Sequence, residues 1–208
     1  MLGAVSRHPV VQIDTEHPSA FGVGPARWRE RLRRRLEASS GRRVEVVHYL
    51  DARELGDAHA VVLSGSSAPW SAHDPGALRR LGEVVGASGR PVLGICAGMQ
   101  LLGRFAGGRI EHAAEPEIGE LELDVVEPDG LLRGLGERPR VFQYHFDELT
   151  ELPTGFRVLA STDRCRVQAI ASEERGWWGT QFHPESYRSA NPAGARILRT
   201  FFELAAER

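Results

Sequence analysis

The chain lacks most of what marks a secreted, membrane-embedded or nucleotide-binding protein. Only two cysteines occur, Cys96 and Cys165, in unrelated contexts. One pair cannot build a disulfide framework, and without any Cys-x-x-Cys the usual zinc signature is missing too. No apolar run approaches the roughly 20 residues of a membrane-spanning helix. The opening "MLGAVSRHPVVQID" has no basic stretch followed by an apolar one, so no secretory leader is expected there. An excess of one charge sign is also absent: 26 Lys and Arg face 28 Asp and Glu, a formal net charge of -2. Such a balance excludes a general affinity for nucleic acid or acidic membranes. Neither Gly-x-x-x-x-Gly-Lys-Ser/Thr nor Gly-x-Gly-x-x-Gly occurs, so no phosphate-cradling loop is encoded. These absences predict a cytoplasmic protein with no metal or organic cofactor, no nucleic-acid partner and no membrane contact.

What is present is a chain of 208 residues, 41% hydrophobic and 26% charged, enough for one well-packed domain over residues 1–208. Short β-branched runs recur at Val10 to Ile13, Val44 to Tyr49, Ala60 to Leu63 and Val92 to Ile95. Helix-like stretches, Ala26 to Glu37 and Pro75 to Val85, lie between them. This alternation predicts βαβ units around a parallel sheet. A helix from Ala97 to Phe105 should stop at Gly107-Gly108. The second half is richer in strands, near Leu121 to Val126, Arg140 to Phe146, Phe156 to Ala160, Val167 to Ala171 and Trp178 to Phe182, and a closing helix spans Ala193 to Ala206. The basic run "RWRERLRRR" from Arg27 to Arg35 reads as a solvated helix face, with Trp28, Leu32 and Leu36 turned to the core.

The stretch "PVLGICAGMQLLGRF", Pro91 to Phe105, carries the first chemical signal. A strand runs into Gly94-Ile95-Cys96-Ala97-Gly98, and a helix follows at once. Strand, glycine-flanked turn and helix form the geometry of a nucleophile elbow, because glycines either side relieve the clashes of so sharp a turn. It would place the Cys96 sulfur near a helix N-terminus, where unpaired N–H groups favour thiolate. The Ala97 N–H would face an oxyanion formed on an attacked carbonyl. A small buried hydrophobe is the other reading of this cysteine.

A thiol nucleophile needs a base. Of eight histidines, His8, His17, His59, His73 and His112 lie in polar or loop-like segments and read as surface residues. His183 stands apart, in "WWGTQFHPES", after an apolar run and before Pro184. In an extended His-Pro-Glu segment, residues i and i+2 point to one side, so Glu185 could orient the imidazole. In "VVLSGSSAPW", a Gly-Ser-Ser turn follows a buried strand, and a backbone N–H of Gly65 or Ser66 could supply a second oxyanion donor.

With these segments the chain resembles the class I, triad-type glutamine amidotransferases, and among them the glutaminase part of GMP synthase. The resemblance rests on "LGICAGMQLLG", "GTQFHPES", "LSGSSAPW" and "VFQYHFDELTELPTGFRVLAST", and extends from about Val44 to Phe202. It implies a Rossmann-like, flavodoxin-like α/β fold: three layers around a mostly parallel sheet. It implies hydrolysis of the L-glutamine side-chain amide by Cys96, His183 and Glu185 through a γ-glutamyl thioester. Substrate contacts would come from Gln100, Tyr144 and His145, although His145 could serve a structural hydrogen bond instead. Asp147 would brace its loop or face a partner. The released ammonia would pass to an acceptor on a separate synthetase or amidation subunit, which would also carry any ATP chemistry.

Two departures stand out. Gly65-Ser66-Ser67 replaces the family's usual Gly-Gly-Pro, and "YHFD" puts Phe146 where glycine is common. A γ-glutamyl hydrolase, cleaving γ-glutamyl amides without ammonia transfer, shares the elbow and remains the alternative; a non-catalytic binding relative is a third reading. Cys165, between Arg164 and Arg166 but without an elbow or a base, reads as a structural thiol.

Overall fold

A computed structural model of the chain describes residues 8–20 and 22–208. The first seven residues of the opening stretch, on which the expectation about a leader partly rests, lie outside them. In chain order the elements are β1 (Val10–Asp14), α1 (Val23–Ser40), β2 (Val44–His48), β3 (Ala60–Leu63), α2 (Pro75–Ala87), β4 (Val92–Ile95) and α3 (Ala97–Phe105). There follow β5 (Arg109–Glu122), β6 (Asp124–Val125), β7 (Arg140–Glu151), β8 (Arg157–Ser161), β9 (Ala169–Ser172), β10 (Trp177–Thr180) and α4 (Ala193–Ala206).

Eight strands form one sheet in the order β2-β1-β3-β4-β10-β9-β8-β6. The pairings from β2 through β10 are parallel, and those from β10 outward to β6 are antiparallel. Side chains alternate across each strand, so successive residues enter opposite cores. Ala60 and Val62 join a cluster with Leu36, Phe201 and Phe202, beneath α1 and α4. Val61 and Leu63 join Leu78, Leu81 and Leu102, beneath α2 and α3. The result is the three-layer, mostly parallel architecture expected from the alternating pattern.

Local signals set the helix ends. Asp74 caps α2 by accepting from Gly76 N–H at 2.8 Å, with Pro75 at the first helical position. Gly41 closes α1 in the left-handed region, and α3 stops two residues before Gly107 at φ 99°.

Five expectations need correction. The strand read as Leu121 to Val126 is the tail of β5 followed by the short β6, and β7 runs on past Phe146 to Glu151. β5 and β7 pair with each other in a separate two-stranded ribbon, which explains why charged residues on both faces of β5 hide its length. The strand before His183 ends at Thr180, so His-Pro-Glu is not extended: Pro184–Ser186 form a 3₁₀ turn. Trp28 is 38% exposed rather than in the core, whereas Leu32 and Leu36 are buried as expected. His73 is not a surface residue but 4% exposed, its ring among those of His17, Tyr49 and Trp70.

No helix among the described residues is long and apolar enough to cross a membrane. The arginine run of α1 is largely paired locally: Arg33 and Arg34 with Glu30, Arg33 also with Glu37, and Arg35 over the Tyr187 ring at 3.7 Å.

Candidate active site

The parallel strands β1, β3, β4 and β10 deliver their carboxyl ends to one edge of the sheet, the usual location of sites in open α/β folds. Cys96 follows β4, and His183 lies three residues beyond the end of β10. Because β4 and β10 are neighbours, with Ile95 opposite Thr180, residues 87 apart in sequence meet. The Cys96 N–H donates to the Thr180 carbonyl at 2.7 Å and pins the turn to the adjacent strand.

Cys96 sits at φ 53°, ψ -112°, the one non-glycine residue with positive φ among those described. Such a backbone costs about 1–3 kcal/mol and persists only where its surroundings enforce it. Here the glycines do so. A Cβ on Gly94 would lie 2.5 Å from the Gly98 carbonyl carbon and oxygen, and one on Gly98 would lie 2.4 Å from the Leu63 oxygen. Only bare backbones let α3 start this close to β3 and β4.

The structure brings His183 and Glu185 together, as expected, though by a turn instead of a strand. His183 Nδ1 and Glu185 Oε1 are 2.7 Å apart and both side chains are buried. Nε2 of His183 and Oε2 of Glu185 have no hydrogen-bond partner among the described residues. Burial pushes the His183 pKa down, but the Glu185 carboxylate and the nearby Cys96 sulfur outweigh it and hold the imidazole well above its ordinary value of 6.5. The His183 N–H bonds the Phe142 carbonyl at 2.8 Å, fixing the turn against β7.

Gly65 lies against both groups: a Cβ there would be 3.1 Å from His183 Cε1 and 3.5 Å from Cys96 Cβ. The N–H groups of Gly65, Ser66 and Ala97 have no acceptor among the described residues. They are free to bind an anion. Those of Ser67 and Ala68 are taken up by the Glu16 carboxylate.

Beside these residues opens a cavity of about 280 Å³ lined by Cys96, Ala97, Gln100, Ser66, Trp70, Tyr144 and Phe146. Its size lies near the lower end of small-molecule sites, ~300–1,000 Å³. Gln100 borders it, yet its amide is committed: Oε1 accepts from Trp70 Nε1 at 3.2 Å, and Nε2 donates to Asp147 O at 2.7 Å and Gln181 Oε1 at 3.0 Å. Tyr144 presents its ring edge-on to Trp28 and Phe146, and its carbonyl lies 3.9 Å from the Cys96 sulfur. Phe146, 44% exposed, adds bulk to the mouth. His145 also borders the cavity, but its ring is tied at both ends, Nε2 to Glu117 Oε2 at 2.9 Å and Nδ1 to Asp147 O at 3.2 Å. Asp147 in turn braces His112 Nδ1 at 3.0 Å.

Three neighbours of the site are missed by sequence reasoning. Gln181 is fully buried and directs Nε2 at the Cys96 sulfur, 3.7 Å away; it stands two residues before His183, the available clue. Trp28 lies near the His183 ring, with centroids 5.8 Å apart. Glu16 has no local signature at all.

Glu117, His145 and Cys165 each place one potential metal-ligand atom within 4.8 Å of the others. These atoms are already engaged. Glu117 accepts from His145, from Thr162 at 2.7 Å and from Gln168, while the Cys165 thiol points to the Val167 carbonyl at 3.5 Å. Burial pushes the Cys165 pKa up, so the sulfur stays a neutral thiol, in keeping with a structural role.

A strained cysteine at a helix N-terminus, a buried His–Glu pair just beyond the end of the neighbouring strand and free N–H groups opposite make an arrangement suited to acyl transfer through sulfur. The family model "Glutamine amidotransferase class-I" matches residues 28–205. The chain is 42% identical over 149 residues to a glutamine-hydrolyzing GMP synthase of Stenotrophomonas maltophilia, a match covering 69% of this chain and 28% of that protein. It is 39% identical over 117 residues to one subunit of the glutamine-hydrolyzing GMP synthase of Pyrococcus abyssi, 56% of this chain and 61% of that one. The chain thus spans between about a quarter and three fifths of the length of these curated relatives. The crystal structure of a putative GMP synthase subunit from Thermoplasma acidophilum superimposes with TM-score 0.80 at 28% identity, covering 96% of both chains. The chain belongs to the class-I glutamine amidotransferase family.

Proposed function

We propose that the chain is a glutaminase that releases ammonia from the side-chain amide of L-glutamine and passes it to a synthetase subunit carried on another chain. One observation carries this reading. The strained Cys96 turn and the His183–Glu185 pair follow the ends of adjacent parallel strands, with Gly65 packed against both.

The chemistry follows from that placement. Cys96 sulfur attacks the amide carbon, and the carbonyl electrons move to oxygen. The oxyanion accepts from the Ala97 N–H and from Gly65 or Ser66 N–H, preorganised donors whose individual loss typically costs about 10²–10³-fold in rate. His183, held as a cation by Glu185, gives its Nε2 proton to the departing nitrogen, and ammonia leaves. The γ-glutamyl thioester remains. Water then loses a proton to His183 and attacks the thioester carbon; glutamate departs and the sulfur is restored. Gln100 and Tyr144 shape the pocket, and His145 supports its wall through Glu117.

A partner on another chain is supported by the name of the Pyrococcus abyssi relative, which designates one lettered subunit of a GMP synthase. One observation favours the second reading, a γ-glutamyl hydrolase: Trp70, Tyr144 and Phe146 give the mouth an aromatic lining that would suit an amine substituent. Ammonia release from glutamine, compared with cleavage of a γ-glutamyl aralkylamine by the same preparation, decides between them. Preference for glutamine, abolished in Cys96→Ala and His183→Ala, supports the first; preference for the amide of the larger amine overturns it.

A further inference from the structure

Glu16 is almost fully buried, 5% exposed, yet no residue of the proposed mechanism needs a carboxylate there. It reaches from the end of β1 across to the turn after β3. Oε1 accepts from Ser66 Oγ at 2.7 Å, Ser67 N at 3.0 Å and Ala68 N at 3.1 Å. Oε2 accepts from Ser67 N at 2.8 Å and Ser67 Oγ at 2.7 Å. The carboxylate is itself anchored. Its own main chain is held by Asp14 Oδ1, which accepts Glu16 N–H at 3.2 Å, and by His48 Nε2, 2.8 Å from Glu16 O. Next to it, Thr15 Oγ1 donates to Ser64 O at 2.8 Å, and Thr15 N donates to Ser64 Oγ at 3.0 Å.

We infer that Glu16 is a positioning residue that clamps the Gly65–Ala68 turn and aims the Gly65 and Ser66 N–H groups at the oxyanion. This deepens the glutaminase reading and rests on it for its catalytic consequence.

The chemistry of the turn explains why a clamp is needed. Gly65-Ser66-Ser67 contains no proline to restrict its backbone, and small polar residues leave many conformations open. The two serine hydroxyls and the two following N–H groups converge on one carboxylate, removing that freedom. By consuming Ser67 and Ala68 N–H, Glu16 also leaves Gly65 and Ser66 as the donors of this turn without an acceptor among the described residues. Bonds from N–H and O–H groups to an ionised acceptor are roughly twice as strong as neutral ones, so the clamp is stiff. Glu16 is held ionised: burial pushes its pKa up, but the bonds from Ser67, Ser66 and Ala68 outweigh this and leave it below the ordinary value of 4.5.

The test compares wild type with Glu16→Ala, Glu16→Gln and Ser67→Ala. Four readouts are taken: amide hydrogen exchange at Ser67 and Ala68, kcat and KM for glutamine, the rate at which iodoacetamide alkylates Cys96, and thermal stability. Alkylation by iodoacetamide builds no oxyanion, so it reports the thiol without the turn. In Glu16→Ala, exchange at Ser67 and Ala68 should accelerate and kcat fall about 10²-fold, as when an oxyanion donor is lost. KM and the alkylation rate should stay within about twofold of wild type. Ser67→Ala, which removes only one hydroxyl, should lose less, and Glu16→Gln should recover part of the turnover. Unchanged kcat or unchanged exchange in Glu16→Ala would overturn the inference. So would a parallel fall in kcat, alkylation and thermal stability across the variants, since that is what a purely structural role produces. If wild type cleaves neither glutamine nor a γ-glutamyl amide, the glutaminase reading fails by itself. The exchange measurement then decides the clamp, faster exchange sustaining it and unchanged exchange refuting it.

Discussion

Gly98 offers a sharp test of how the elbow is built. Replacing it with alanine would put a Cβ 2.4 Å from the Leu63 carbonyl oxygen and 2.8 Å from the Leu63 carbonyl carbon and Cβ. Comfortable contact between such atoms is about 3.5 Å, so α3 and β3 would have to separate by about 1 Å. Overpacking of this kind costs ~1–3 kcal/mol, and the upper end applies because most of what Cβ meets is main chain. Alanine's better helix propensity returns up to about 1 kcal/mol. A net loss of about 2 kcal/mol should lower Tm by roughly 4–8 °C in a chain of this size. Since α3 begins at the residue after Cys96, the sulfur moves with it, and a misplacement of about 1 Å can cost on the order of 10²-fold in rate. Thermal unfolding and ammonia release, measured on the same preparation well below Tm, read both effects. Gly86→Ala is the control: it lies in α2 with nothing within 4 Å of the new Cβ, and should be neutral to stabilising by up to about 1 kcal/mol. A Gly98→Ala chain with wild-type Tm and turnover would refute the steric account of the elbow.

Other outcomes follow from the buried titratable groups. His183 has a folded pKa raised above 6.5, so its stabilising contribution is fully present below that pH and is lost as pH rises through the folded value. The Tm gap between wild type and Glu185→Gln should therefore be widest at or below pH 6.5 and narrow above it; a gap that widens with rising pH would contradict this. For Glu117, burial pushes the pKa up, but bonds from His145, Thr162 and Gln168 hold it below 4.5. Its contribution is present above pH 4.5 and lost as pH falls through the depressed value, so Glu117→Gln should lose less Tm than wild type on acidification below 4.5. Burial that pushes the Cys165 thiol up should leave it unreactive: iodoacetamide at about neutral pH should mark Cys96 far faster than Cys165 in the native chain, as quantified by peptide mass spectrometry.

The parts of this fold legible in the sequence are those where one physical constraint leaves few residue choices. β3 and β4 are buried on both faces, so they read as the short apolar runs "AVVL" and "VLGI". Gly94 and Gly98 are visible because no side chain fits where they stand. What stays hidden depends on contacts between distant segments. Glu16 meets Ser67 across 51 residues, with nothing local to mark either. Trp28 has helical spacing to Leu32 and Leu36 and so reads as core, yet its place at the start of the α1 stripe puts it over Tyr144 and near His183. β5 belongs to a ribbon rather than to the main sheet, and its charges mask the strand. The His183–Glu185 contact is expected from an extended segment and is made by a different one. A 3₁₀ turn brings i and i+2 within 2.7 Å as an extended strand would, and His-Pro-Glu alone does not distinguish them.

The measurement that bears most directly on the central claim is acid quench of the chain during glutamine turnover, followed by mass spectrometry of the peptide containing Cys96. A γ-glutamyl adduct on Cys96 during turnover, with both adduct and ammonia release absent in Cys96→Ala, is the expected result. Wild-type ammonia release from Cys96→Ala, or an adduct on any other residue, would contradict it.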